Sequence, residues 1–129
     1  MDPRQREAFM LERLTEDLGL DKTQQKQLQT TLNLARTTAK PLQDQMRAAQ
    51  KAVLDAAKAG KPKPELDRLA VQEGVVHGKL AALSAKTFQD VYTTLKPNQR
   101  AGADDLMRVI TMVVLPRPMM GPPPPREPR

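Results

Sequence analysis

The chain has no cysteine and no tryptophan, and its only aromatic residues are Phe9, Phe88 and Tyr92. Without cysteine there is no disulfide, no thiolate nucleophile and no Cys-based zinc site, while the compartment stays open, because cytosolic and secreted chains can both lack it. No apolar run approaches the length of a membrane span. A single histidine, no Gly-rich phosphate loop and no acid pair in an apolar setting leave no nucleophile–base arrangement, so no enzyme chemistry is expected and no cofactor is implied. The segment Met1–Glu7 has no signal-peptide h-region, which predicts a cytosolic chain or a mature form whose targeting segment was removed. Rings supply much of the buried area of ordinary cores. A composition that is 39% hydrophobic but 2% aromatic therefore predicts a thin helix-on-helix layer of Leu, Val, Ala and Met. Strand-like alternation is absent, and the good helix formers Ala, Leu, Gln, Lys and Arg dominate the middle of the sequence. At 129 residues the chain should form one all-α domain.

What is present divides the chain clearly. An amphipathic stretch from about Gln5 to Leu18 places Leu11, Leu14 and Leu18 on one face and stops at Gly19, a suitable residue just past a helix end. Asp21 reads as the next N-cap, with Gln24 three residues on completing a capping-box-like pair. The second helix is predicted from Lys22 to about Ala59, with Leu28, Leu32, Ala35, Ala39, Leu42, Met46, Ala49 and Val53 at three- and four-residue steps and a kink at Pro41. Gly60-Lys61-Pro62-Lys63-Pro64 interrupts the pattern. A third helix follows from about Pro64 to Leu95, with Leu66, Leu69, Ala70, Val76, Leu80, Leu83, Thr87, Val91 and Leu95 as its apolar side. Two long helices with so short a connection should form an antiparallel hairpin about 45 Å long. Pro97 should open a fourth helix ending near Leu115, with Leu106, Val109, Ile110 and Val113 facing inward. Residues 1–115 thus make the helical domain, and 116–129, rich in proline, an extended or disordered tail. A single hairpin with two short helices leaves part of its apolar stripe wet, which predicts a homodimer built along the hairpin.

The net charge of +6 is concentrated. Residues 1–21 carry three basic and six acidic side chains, whereas residues 22–63 carry nine basic and two acidic ones. Lys22, Lys26, Arg36, Lys40, Arg47, Lys51 and Lys58 recur so that all seven fall within an arc of about 80° on an ideal helix, some 130° from the apolar stripe. A solvated face is the plain reading of such a run. The scarcity of acidic residues on the stripe itself points instead to a surface for an anionic or amphipathic partner.

Two segments share one pattern. Leu20-Asp21-Lys22-Thr23-Gln24 and Leu95-Lys96-Pro97-Asn98-Gln99 both place Leu-x-x-x-Gln at a helix start, where the Gln side chain can reach back to the N-cap N–H. With the short–long–long–short helix layout, the chain resembles the Spy/CpxP family of periplasmic stress proteins, whose signature is a repeated Leu-Thr-x-x-Gln. The signature threonine is Asp21 in the first copy and Lys96 in the second; aspartate keeps N-cap chemistry and lysine does not. The resemblance implies a periplasmic, cradle-like antiparallel homodimer that holds unfolded or partly folded proteins, without ATP, on a basic and partly apolar concave face. Arg36, Lys40, Arg47, Lys51 and Lys58 are then the client-binding cations, with Leu34 and Leu54, which lie off the core stripe, as apolar neighbours.

Other readings stay open at this point. Some relatives of the family bind or sense divalent metals, and Glu73 and His77 form an i, i+4 pair on the third helix. Two ligands on one helix fall short of a tight site, so the pair reads as hydrogen-bonded or solvated rather than as a metal centre. Met107, Met112, Met119 and Met120 read as packing rather than soft-metal ligands. A nucleic-acid partner would suit the charge, but the stripe lacks interleaved aromatics and any recognised reading motif. Gly74 and Gly78 mark a flexible point or a close helix approach. Pro122–Pro125 reads as part of a solubilising tail or as a polyproline ligand for an aromatic groove.

Overall fold

The computed structural model describes residues 3–115, and all their regular structure is helical. Helix α1 spans Pro3–Leu18, α2 Lys22–Lys58, α3 Lys63–Tyr92 and α4 Ala103–Val114, with a 3₁₀ turn over Pro97–Gly102 between α3 and α4. The Pro-rich segment 116–129 lies outside the described residues.

Local chemistry sets these boundaries. Gly19 has a φ of +65°, and the N–H groups of Gly19 and Leu20 donate to the carbonyls of Glu16 (3.2 Å) and Thr15 (3.1 Å). Gly60 repeats the arrangement at the end of α2: its φ is +70°, it donates to Ala57, and Lys61 donates to Ala56. Both are Schellman closures, in which a left-handed glycine lets the chain return donors to the last free carbonyls. The start of α2 is a complete capping box, Gln24 N–H donating to Asp21 Oδ1 at 2.8 Å and Asp21 N–H to Gln24 Oε1 at 3.0 Å. Helix α2 runs unbroken through Pro41, which is exposed. Solvent can therefore reach the Thr37 carbonyl that the missing proline N–H leaves unpaired.

Two boundaries differ from the sequence expectation. Helix α3 ends at Tyr92 rather than Leu95, and Thr93 and Thr94 turn their hydroxyls onto the carbonyls of Asp90 and Val91. Lys96, preceding Pro97, is extended (φ −72°, ψ 154°), as a residue before proline prefers. The expected fourth helix is split. Its first six residues form the 3₁₀ turn, which ends at Gly102, where the bare Cα lies close against the side chain of Leu18.

The core is lopsided. Leu14, Leu18 and Leu20, the α2 residues Leu28, Leu32, Ala35, Ala39 and Met46, Leu80 and Val91 of α3, Leu95, and five residues of α4 form one buried cluster. Helices α2 and α3 pack along each other, and α4 packs against α3, α2 and α1 at the end where this cluster lies. Gln43 Nε2 fastens the end of α4 by donating to the carbonyls of Val114 (2.8 Å) and Val113 (3.4 Å). Between Met46 and Leu80 only Ala56 is buried, and Val53, Leu66, Leu69 and Val76 are half-buried. Ala70, expected on the apolar side of α3, is exposed, while Ser84 is buried there.

Candidate functional site

Helix α2 carries the seven cations on exposed positions. Leu34 is 67% exposed and Leu54 48%, among the highest values for large apolar side chains here. The cations are less free than the sequence suggested. Lys40 Nζ lies 2.8 Å from Asp44, which also receives Arg47 at 3.4 Å, and Lys51 Nζ lies 2.5 Å from Asp55. Arg36 forms an ion pair with Glu7 of α1, and it also donates to Asn33 Oδ1 at 3.0 Å. The stripe is therefore partly self-paired, a correction to the expectation drawn from its scarcity of acids. On the same helical wheel Asp44 falls at the edge of the arc, level with Lys26, and Asp55 about 20° beyond it. Lys22, Lys26 and Lys58 have no ion pair among the described residues.

The pairs of Lys40, Arg47 and Lys51 are open to exchange. Their side chains are at least half-exposed, and exposed ion pairs add little to stability. Lysine also precedes aspartate in both i, i+4 pairs, the weaker order relative to the helix dipole. The hydrogen bond from Lys40, and the charges of Lys40 and Arg47 after it, hold the Asp44 carboxyl below the ordinary aspartate range. A carboxylate of another molecule can thus replace Asp44 or Asp55 at little cost, and the aliphatic stems of Lys51 and Lys58, three and four residues from Leu54, can cover apolar groups while their charges remain wet.

At the opposite end of α2, the two Leu-x-x-x-Gln segments meet. Gln24 and Gln99 are 8% and 5% exposed. Gln24 Nε2 donates to Gln99 Oε1 at 2.7 Å, and Gln99 Nε2 donates to Gln24 Oε1 at 3.0 Å. Each amide nitrogen also donates across the contact, Gln24 to the carbonyl of Thr94 (3.2 Å) and Gln99 to that of Gly19 (3.1 Å). Each amide oxygen also accepts from its own N-cap, Asp21 in one case and Lys96 (2.9 Å) in the other. Both carboxamides thereby satisfy two donors and two acceptor sites in a buried place, as burial of such groups requires. Lys96 has no acceptor to offer, so the second copy keeps only the half of the capping box in which Gln99 reaches back. The repeated motif is thus a clasp that ties the start of α2 to the start of the 3₁₀ turn, 75 residues away.

The sequence profile of the LTXXQ motif family matches residues 6–107, which includes both copies. The chain belongs to the LTXXQ motif family. This is the family of Spy/CpxP-type periplasmic proteins. Neither the curated proteins nor the solved structures include a match to the chain. In this LTXXQ protein the signature glutamines serve the fold, whereas the residues proposed for binding lie along α2.

His77 is exposed and Glu73 half-buried, one turn apart on α3. No group of three or more His, Asp or Glu side chains capable of holding a metal occurs among the described residues. No helix among the described residues is long and apolar enough to cross a membrane. Sequence reasoning missed three polar contacts that shape the surface: Glu7 with Arg36, Gln43 with the end of α4, and Asn33 with Arg36 and Gln29. The spacing of Asn33 to Arg36 and Gln29 could have revealed the last. The other two join separate helices and carry no local signal.

Proposed function

We propose that this LTXXQ protein is an ATP-independent holding protein of the periplasm, which binds unfolded or partly folded chains on the basic face of α2. The observation that carries the reading is the coexistence, on one helix, of exposed Leu34 and Leu54 with seven cations, of which Lys22, Lys26 and Lys58 have no carboxylate partner among the described residues and Lys40, Arg47 and Lys51 have only exposed ones. An unfolded chain offers a partner for each: apolar side chains for the leucines and mobile carboxylates for the cations. Arg36, Lys40, Arg47, Lys51 and Lys58 are the cations assigned to client contact. Family membership supports the compartment and the class of activity.

The reading takes α2 and α3 as the two arms of an antiparallel hairpin and the working unit as a homodimer. The outward side of α3 supports the second copy. Val71, Gly74, Val75, Gly78, Ala81 and Ala82 are all exposed, uncharged and on one side of the helix. The test of function is the light scattering of a denatured, aggregating client. Equimolar protein should slow its aggregation, and reversing Arg36, Lys40, Arg47, Lys51 and Lys58 to Glu should remove most of the effect. If the parent protein does not slow aggregation, or the reversal leaves it intact, the assignment fails.

A further inference from the structure

Two of the three aromatic residues stand together on α3, outside the basic surface. Phe88 and Tyr92, one turn apart, stack with ring centroids 5.3 Å apart and planes at 24°. The guanidinium of Arg100 sits 4.8 Å from the centre of the Tyr92 ring. Both rings are only half-buried, and with Ala85, Lys86 and Gln89 they line an open groove along the helix. Polyproline helices dock on surfaces of this kind, because they are pre-extended, lose little entropy and lay flat apolar rings on aromatic faces.

The same chain contains such a ligand in Pro122–Pro125. We infer that the groove at Phe88 and Tyr92 is a polyproline-binding site and that its occupant is Pro122–Pro125 of the same chain. Reach permits it. Arg100 touches Tyr92, and the chain then runs through the 12 residues of α4, about 18 Å, before the tail begins. The seven residue steps from Leu115 to Pro122 would span about 22 Å in polyproline geometry, enough to return to the groove. Arg126 directly follows the prolines and can pair with Asp90, whose side chain is 51% exposed beside the groove and whose ion-pair partner among the described residues is the exposed Lys86.

Tyr92 is the only tyrosine and the chain has no tryptophan, so tyrosine emission reports this site alone. The experiment compares acrylamide quenching of the full chain with that of two variants: Pro122–Pro125 all changed to Ser, and Ala85→Lys, an exposed helical position that would fill the groove. Both variants should raise the quenching constant by about twofold, as uncovering one side of the rings predicts. A synthetic peptide of residues 116–129 should restore protection to the serine variant. Equal quenching in all three proteins overturns the proposal. So does protection that depends on the prolines but not on Ala85, which would put the tail elsewhere. Protection that grows with protein concentration overturns it too, by making a second copy the source. None of these readouts depends on client binding.

Discussion

At the scale of single residues, Gln24 and Gln99 are the polar groups with most at stake. Each is buried with all its hydrogen-bonding capacity used by the other or by nearby backbone. Removing one amide strands the second and also frees a backbone N–H and a carbonyl. Gln24→Ala and Gln99→Ala should each lower stability by about 1–3 kcal/mol. The double variant should cost clearly less than the sum of the two, because the stranded partner is then gone as well. Urea denaturation of the four proteins of this cycle measures the coupling, and strict additivity would show that the two amides act separately. Asp44 gives a second prediction. Its carboxyl is held below the ordinary aspartate value, mainly by the hydrogen bond from Lys40. A depressed folded-state pKa contributes stability above the unfolded value and loses it as pH falls through the folded value. Carboxyl NMR titration should therefore find the Asp44 midpoint below that of an unstructured aspartate. Lys40→Met should move it upward, and a midpoint indifferent to that change would remove Lys40 as the cause.

At the scale of elements, Gly102 tests the close approach of the 3₁₀ turn to α1. A Cβ there would run into the Leu18 side chain, which is 8% exposed and has little room to turn away. Gly102→Ala should destabilise the protein by roughly 1–3 kcal/mol, as overpacking does, and hydrogen exchange should show the loss first in α1. Gly78→Ala, where nothing lies within 4 Å of the new Cβ, is the control for helix propensity alone. The contrast also shows what was legible in the sequence. The ends of α1 and α2 were readable because Gly19, Asp21 and Gly60 act on neighbours a few residues away. The close approach of Gly102 to Leu18 was not, because the two lie far apart in sequence and meet only in the assembled fold. Both copies of the Gln motif were visible, yet local spacing accounts only for their bonds to Asp21 and Lys96. That the two amides bond each other is a property of the assembled fold. The seven cations are exposed along α2, but Asp44, at the edge of their arc, and Asp55, just beyond it, pair with three of them, and Glu7 arrives from another helix.

At the scale of the whole molecule, the lopsided core raises the question of what covers the distal parts of α2 and α3. Leu32, Leu80, Leu106, Ile110 and Val114 are fully buried where all the helices meet, but Val71 and Val75 stand 66% and 54% exposed beyond them. Two copies of α3 crossing antiparallel, centred between residues 76 and 77, would set Val75 of each against Gly78 of the other and Val71 against Ala82. Small residues at the centre let the helices approach closely. This pairing leaves the basic face of α2 uncovered in both copies, as the proposed function requires. Sedimentation equilibrium at micromolar concentration should therefore give twice the chain mass. Val71→Asp with Val75→Asp should give a folded monomer, since both positions are exposed in the single chain and a charge there disturbs only the pairing. Gly74→Ala with Gly78→Ala discriminates further. In a lone helix each change should stabilise by up to about 1 kcal/mol, whereas across a close crossing the added methyl groups should weaken association. A parent chain that sediments as a monomer, with the alanine variant simply more stable, would leave the outer side of α3 without a second copy.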